Sequence, residues 1–387
     1  MKKIINLLAS VAAIATFASC DKVDDLPVYG TGNAALLSAS APAVAAAPAD
    51  SNNVVLTLNW TYPDHKTDSA NIKYTIEMDS VGKNFAKPLV KIVMKDQTTG
   101  FTAKELNSFL IGRGYTFNVP VFMEIRLISS YGNNNERIIS NIVPVKITPY
   151  KVPPKVAIPT TGKLFIVGAA TQGGWNNPVP TPSQELARLN ETTWAGVFRM
   201  NGGEQYLLLP LNGDWGNKFS VASNQVPGLS AGGDFGFNLN DNFPAPSGSG
   251  WYTLTVDFQT GKFKVTPYTG TLPTNLFIVG AATAGGWNNP VPVPSQQFTR
   301  LNSSQWELSL PLNANQEYLL LPVNGDWSNK YAVPNKGLAG LSAGGEFGYN
   351  LNDNFPGPSV AGNYKILVSF VSLENHPTGK FTVTKIP

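Results

Sequence analysis

Leu164 to Pro180 reads LFIVGAATQGGWNNPVP, and 112 residues later Leu276 to Pro292 reads LFIVGAATAGGWNNPVP. The same offset joins YLLLPLNGDWGNK (Tyr206–Lys218) to YLLLPVNGDWSNK (Tyr318–Lys330). It also joins LSAGGDFGFNLNDNFP (Leu229–Pro244) to LSAGGEFGYNLNDNFP (Leu341–Pro356). The C-terminal two thirds of the chain is one domain written twice. Each copy is long enough to hold its own core, which makes these tandem domains and not short solenoid repeats.

The polar, turn-rich strings repeat almost letter for letter, whereas a strand needs only its apolar pattern. A recent duplication copies everything, yet Asn224–Pro227 and Lys336–Ala339 share no residue. Retention of the loops for function and recency of the copying both remain open on this ground.

Working outward, the start of the chain fixes the compartment. Lys2 and Lys3 precede a mostly apolar run, Ile4 to Phe17, too short to span a bilayer. Phe17-Ala18-Ser19-Cys20 then reads as a lipoprotein processing site with Cys20 as the lipidated mature terminus. The alternative is a stray thiol late in an ordinary secretory signal. Cys20 is the single cysteine, which excludes a disulfide within one chain. Lys2 and Lys3 are two of the 28 basic residues, so 26 remain against 25 acidic ones after processing. That balance offers nothing to a phosphate backbone, so no nucleic-acid partner is expected. Charge is sparse at 14%, while Gly, Pro and aromatics are plentiful, as suits an all-β secreted chain.

Val54 to Trp60 alternates with period two, and Trp60 reads as core. Tyr74–Met78, Val119–Ile128 and Ile142–Thr148 read as further strands, and Thr102 with Glu105 as a capping box opening a short helix. These elements predict an immunoglobulin-like sandwich over residues 35–150. In the first repeat, strands are expected at Leu164–Ala169, Thr193–Met200, Gln205–Leu209, Trp251–Phe258 and Lys262–Pro267. The last hairpin gains six residues in the second copy, since Lys262 maps onto Lys380 and not onto position 374; this marks an exposed tip. The expected layout is a signal at 1–19, a lipidated tether at 20–34, the sandwich at 35–150 and a Pro-rich linker at 151–162. Module 1 follows at 163–268, a short linker at 269–274 and module 2 at 275–387. Stiff linkers suggest three beads in a row.

Catalysis finds little material. His65 and His376 are the two histidines, and neither belongs to the shared repeat. No nucleophile triad, metal cluster or phosphate loop follows from that supply, so neither catalytic residues nor cofactors are expected. The repeated carboxylates are Asp214/Asp326, Asp234/Glu346 and Asp241/Asp353. The middle pair changes length by a methylene, and the others sit in turn strings.

Binding fits better. Trp194 and Trp306 begin alternating strands and read as core. Trp175 and Trp215, with Trp287 and Trp327, sit in Gly/Asn-rich loops. An indole held on a loop is an apolar plate on which the C–H face of a sugar stacks while amides and charges take its hydroxyls. The opposing reading is that Trp175 plugs one end of the sandwich and the asparagines only make turns. Two copies on one stalk would give avidity for a repeating polymer.

The anchor at Cys20, the ending Ile147-Thr148-Pro149-Tyr150, the openings Leu-Phe-Ile-Val-Gly, Lys104–Asn107 and Ser140-Asn141 together resemble SusE/SusF-type surface glycan-binding lipoproteins. The resemblance implies an all-β protein, an immunoglobulin-like sandwich followed by two carbohydrate-binding-module-like sandwiches. It implies lipid anchoring in the outer membrane, facing the cell exterior, and starch binding without cleavage beside a SusC-like TonB-dependent transporter and a SusD-like lipoprotein. Carried onto this chain, the glycan-binding set is Trp175, Arg188, Asn212, Trp215 and Lys218, and in the second copy Trp287, Arg300, Asn324, Trp327 and Lys330. The family often places a Lys in the strand that here reads Tyr206–Leu209; none stands there, and another neutral glycan fits the residues equally.

Overall fold

The computed structural model describes residues 32–66, 69–373 and 378–387. Cys20, the expected signal and His376 lie outside the described residues. The chain divides into two compact units, Met1–Pro153 and Pro154–Pro387. Strands dominate both, so the chain is all-β.

The first unit opens with β1 (Leu37–Ala39), β2 (Ala43–Val44), β3 (Val54–Trp60), β4 (Ile72–Ser80), β5 (Leu89–Met94) and β6 (Thr98–Thr102). Helix α1 (Ala103–Gly112) follows, then β7 (Val121–Tyr131), β8 (Ile138–Ile139) and β9 (Val143–Ile147). One sheet runs β1-β3-β6 and the other β2-β9-β7-β4-β5, with β2 parallel to β9. The alternating strands do what their pattern demands: Leu56, Leu58 and Trp60 from one sheet meet Tyr74, Ile76, Met78, Met123 and Ile125 from the other. Thr102 accepts from the Glu105 N–H while Glu105 accepts from the Thr102 N–H, which starts α1. Sequence reasoning missed β5, whose outward residues Val90, Ile92 and Met94 are exposed.

The second unit holds both repeats. Copy 1 comprises β10 (Phe165–Val167), β11 (Ala187–Arg188), β12 (Thr193–Met200), β13 (Gln205–Leu209), β14 (Phe219–Ser220) and β15 (Gly232–Asp234). It continues with β16 (Gly236–Phe237), β17 (Phe243–Pro244), β18 (Gly250–Asp257) and β19 (Lys262–Pro267). Two sheets result, β10-β13-β14-β16 with β17 on β13, and β11-β12-β18-β19-β15. Between them Trp194 is fully buried, 5.0 Å from Phe258, which meets Phe219 at 4.8 Å. Truncating such a ring to Ala costs about 3–5 kcal/mol.

Copy 2 repeats this with β20 (Phe277–Val279), β21 (Thr299–Arg300), β22 (Gln305–Leu312), β23 (Glu317–Leu321) and β24 (Tyr331–Ala332). Then come β25 (Gly344–Tyr349), β26 (Phe355–Pro356), β27 (Gly362–Ser369) and β28 (Gly379–Lys385). Here β25 runs unbroken where copy 1 splits into β15 and β16. It pairs with both β24 and β28, so the two sheets become one nine-stranded sheet.

The image of separate beads needs correcting for the repeats. Ala187, Ala195 and Val197 of copy 1 form an apolar cluster with Val371 of copy 2, and Leu189, Tyr268 and Leu272 pack against it. The Val197 N–H donates to Ser304 Oγ at 2.7 Å, and the Ser303 N–H to the Glu185 carbonyl at 2.9 Å. Residues 268–272, read from sequence as spacer, are thus packed between the copies. The inserted hairpin is corrected at its foot only: Leu373 is exposed, but Val371 is buried against copy 1, and residues 374–377 lie outside the described residues.

Candidate functional site

Two loops of each copy carry the candidate tryptophans. The first leaves β10 at Gly168, where a Cβ would stand 2.4 Å from the Gln205 carbonyl oxygen, so only glycine lets the loop cross β13 so closely. The Gly168 N–H donates to the Gly174 carbonyl at 2.9 Å and closes the turn. Gln184, buried beneath, accepts from the Gly173 N–H at 2.8 Å and donates to the Ile166 carbonyl at 2.7 Å. Gln296 does the same for copy 2 with Gly285 and Ile278. A buried amide with its bonds made fixes a loop firmly, because each lost bond would strand a polar group. Sequence reasoning passed over this pair, although its identity between the copies was the available signal.

The second loop joins β13 to β14 and is latched to the first. Asn212 accepts from the Val179 N–H at 2.7 Å and donates to the Val179 carbonyl at 3.2 Å. Asn177 accepts from the Gly213 N–H at 2.7 Å. The copy 2 latch is Asn324 on Val291 at 2.7 and 3.1 Å, with Asn289 on Gly325 at 2.7 Å. Asn212 and Asn324 are therefore positioning residues in this geometry: both ends of each amide are committed to backbone.

The latch brings the indoles together. Trp175 and Trp215 have ring centroids 6.4 Å apart with planes at 39°; Trp287 and Trp327 stand at 6.5 Å and 38°. Exposure is 42% and 47% in copy 1, and 42% and 48% in copy 2. Trp175 does not plug the sandwich. About half of each ring faces water, at the cost of apolar surface that burial would otherwise stabilise.

The remaining candidates divide. Lys218 follows Trp215 by three residues, and its main chain is clamped to Asn238: the Lys218 N–H donates to Asn238 Oδ1 at 2.9 Å and the Asn238 N–H to the Lys218 carbonyl at 2.8 Å. Lys330 and Asn350 repeat this at 2.9 and 2.7 Å. Arg188 and Arg300 have structural contacts of their own. Arg188 donates to the carbonyls of Asn190 and Glu191 at 3.0 and 2.8 Å and lies 4.9 Å over the core ring of Trp194. Arg300 donates to the Asn302 and Ser303 carbonyls and lies 5.0 Å over Trp306. These guanidiniums brace a hairpin turn against the core, each committing Nε and one Nη2 proton to its carbonyls.

The shared carboxylates also have local duties. Asp214 accepts from the Asn217 amide at 3.0 Å and the Gly216 N–H at 2.7 Å. The Asn217 amide, then the Gly216 N–H, hold its carboxyl below the usual range. Asp326 is lowered first by the Ser328 N–H. Asp241 caps the Asn224 N–H at 3.0 Å, and Asp234 is paired with Lys155 and Lys262 at 3.1 and 3.0 Å. A glycosidase needs one carboxyl with a raised pKa facing a second. Asp214 and Asp234 are both shifted the other way.

Residues 22–128 match the model of the SusE outer membrane protein family. The SusE match lies within the first unit and spans less than a third of the chain. The crystal structure of SusF from Bacteroides thetaiotaomicron aligns over 92% of this chain and 77% of that one, at 16% identity and a TM-score of 0.37. So loose a superposition locates no residue. No curated protein matches the chain. Among the described residues no helix is long and apolar enough to cross a membrane, which says nothing about β-barrels.

Proposed function

We propose that this chain is a non-catalytic polysaccharide-binding lipoprotein of the outer membrane, held by lipid on Cys20 and facing the cell exterior. The carrying observation is the exposed indole pair, built twice with the same separation and tilt. In an α-linked glucan each ring turns relative to the last, so successive C–H faces are tilted. Two plates at 39° follow that turn better than coplanar ones would. Starch, or a related neutral glycan, is the ligand this reading favours. Lys218 and Lys330 stand at the ends of the tryptophan loops to take sugar hydroxyls. The domain layout read from sequence, 35–150, 163–268 and 275–387, belongs to the same proposal. The SusE resemblance supports a place beside a SusC-like transporter and a SusD-like lipoprotein.

A second reading has one observation in its favour. Edge strand β5 offers Val90, Ile92 and Met94 to solvent on one face, as a surface that contacts another protein would. A spacer lipoprotein that binds proteins and no glycan would need only this.

Affinity gels cast with soluble starch and other neutral glycans separate the two. Replacing Trp175, Trp215, Trp287 and Trp327 by Ala is expected to abolish retention in the gel while the melting curve is kept. Retention equal to the parent's would sink the glycan reading. Release of reducing sugar by the purified parent would instead mark a hydrolase.

A further inference from the structure

The two copies differ beside the tryptophan loop. In copy 1 a cavity of about 360 Å³ lies between residues 157–161 and that loop, lined by Leu211, Asp214, Asn217, Phe219 and Phe237 among others. Leu211 and Phe237 are half exposed there. In copy 2 the counterparts of Phe219 and Phe237 are Tyr331 and Tyr349. The ring pairs are arranged alike, with centroids 5.6 Å apart in copy 1 and 5.4 Å in copy 2. The hydroxyls make the difference. Tyr331 donates to the Thr271 carbonyl at 2.8 Å, and Tyr349 donates to Asn329 Oδ1 at 2.5 Å. Asn329 is the counterpart of Asn217, which faces the copy 1 cavity. Copy 2 therefore supplies from its own chain a hydroxyl to the amide whose copy 1 counterpart, Asn217, lines the cavity beside a phenylalanine that has none. The copy 2 cavity on this flank, about 460 Å³, is also lined by the counterpart segment, Thr269–Thr271, and by Tyr349, with Pro334, Glu346 and Leu351, but by no residue of 322–330, so it does not reach the tryptophan loop.

We propose that copy 1 carries a second subsite, absent from copy 2, that takes one further sugar ring of the bound glycan. The ring lays its C–H face on Phe237 and Leu211 and donates a hydroxyl to Asn217 Oδ1, as Tyr349 does to Asn329. The cavity repeats the chemistry of the indole pair, an apolar wall beside amide and carboxylate acceptors. It is continuous with that pair, because Asp214 and Asn217 stand on either side of Trp215 in one turn. This inference rests on the glycan-binding reading and adds that the two modules prefer ligands of different length.

The test uses the full chain with Trp287→Ala and Trp327→Ala, so that only copy 1 reports, titrated calorimetrically with maltose and with maltoheptaose. Phe237→Tyr is expected to weaken maltoheptaose about tenfold, the worth of one stacked and hydrogen-bonded ring, and to leave maltose unchanged. Tyrosine already occupies the counterpart position, so the fold is expected to hold. The mirror variant Tyr349→Phe, with Trp175→Ala and Trp215→Ala, is expected to tighten maltoheptaose severalfold in copy 2. Should Phe237→Tyr bind maltoheptaose like its parent, or weaken both sugars equally, the subsite is overturned while the indole sites stand. Should the parent bind neither maltoheptaose nor cello- or laminari-heptaose, the glycan reading and the subsite fall together.

Discussion

Strands β12 and β22 hold the same place in the two copies and have opposite outer faces. In β12 all residues but Arg199 are buried, whereas β22 alternates between buried and exposed. The outward positions read Ala195 and Val197 in copy 1 and Glu307 and Ser309 in copy 2. The cause is the seam between the copies: Ala195 and Val197 lie under Val371, while Glu307 faces water near Lys365. The tryptophan loops, at another part of each sandwich, kept the same geometry to within 0.1 Å and 1°, the difference between 6.4 and 6.5 Å and between 39° and 38°. Duplication thus left one surface free to specialise as a joint and held the other constant.

The largest effect expected from breaking this contrast comes from Ala195→Glu, which gives copy 1 the residue copy 2 carries. A carboxylate buried in the seam should cost roughly 2–4 kcal/mol in urea denaturation. The reverse change, Glu307→Ala, should stay within about 0.5 kcal/mol. Equal costs would mean the seam contributes nothing to stability.

Next in size, Asn212→Ala and Asn324→Ala should each unlatch one loop pair. Each is expected to weaken glycan binding by its own module roughly tenfold through lost positioning. Calorimetry on chains with the other module's tryptophans removed checks whether the two losses match, as the shared geometry demands. A loss confined to one copy would break the symmetry claimed for the site.

Smaller still is the effect of the arginines. Arg188→Ala and Arg300→Ala should leave gel retention unchanged and lower stability by about 1 kcal/mol. Arg300 is the more enclosed, and burial pulls its pKa down. Its removal should therefore shift the melting midpoint further. Loss of retention would return these residues to the binding site.

The mildest change is acidification. Asp214 and Asp326 have folded pKa values below the ordinary 3.8. Their contribution to loop order is therefore complete above that value and is lost as pH falls through the lowered folded pKa. Tryptophan fluorescence should report both loops loosening only in that acid range. In copy 1 the shift owes most to Asn217, so Asn217→Ala should move its transition upward.

Much of the fold was legible because alternation and capping are local signals. Val54–Trp60, Thr193–Met200 and Gln205–Leu209 are strands at the expected bounds, and the Thr102–Glu105 box opens its helix. Loop placement of Trp175 and Trp215 was legible from their Gly/Asn setting. The partners of Arg188 were not, since a two-residue strand carries too little pattern to say which way its side chain lies. Asn212 read as a flanking polar group because sequence cannot show that its amide meets Val179, 33 residues earlier. The seam escaped notice for a similar reason: Ala195 and Val197 look like ordinary core residues until copy 2 is seen to cover them. The Phe237/Tyr349 exchange looked like conservative drift, and only the hydroxyl's partner gives it meaning.

Because Val371 and Ser304 of copy 2 are seated on copy 1, the two indole pairs cannot drift apart as they would on a loose string. Under the proposed reading, a glycan that bridged both pairs would have to match one fixed spacing. Any adjustment needed to meet that spacing would fall on the polymer and not on a linker. Glycans whose own shape already matches the spacing would then be held longest.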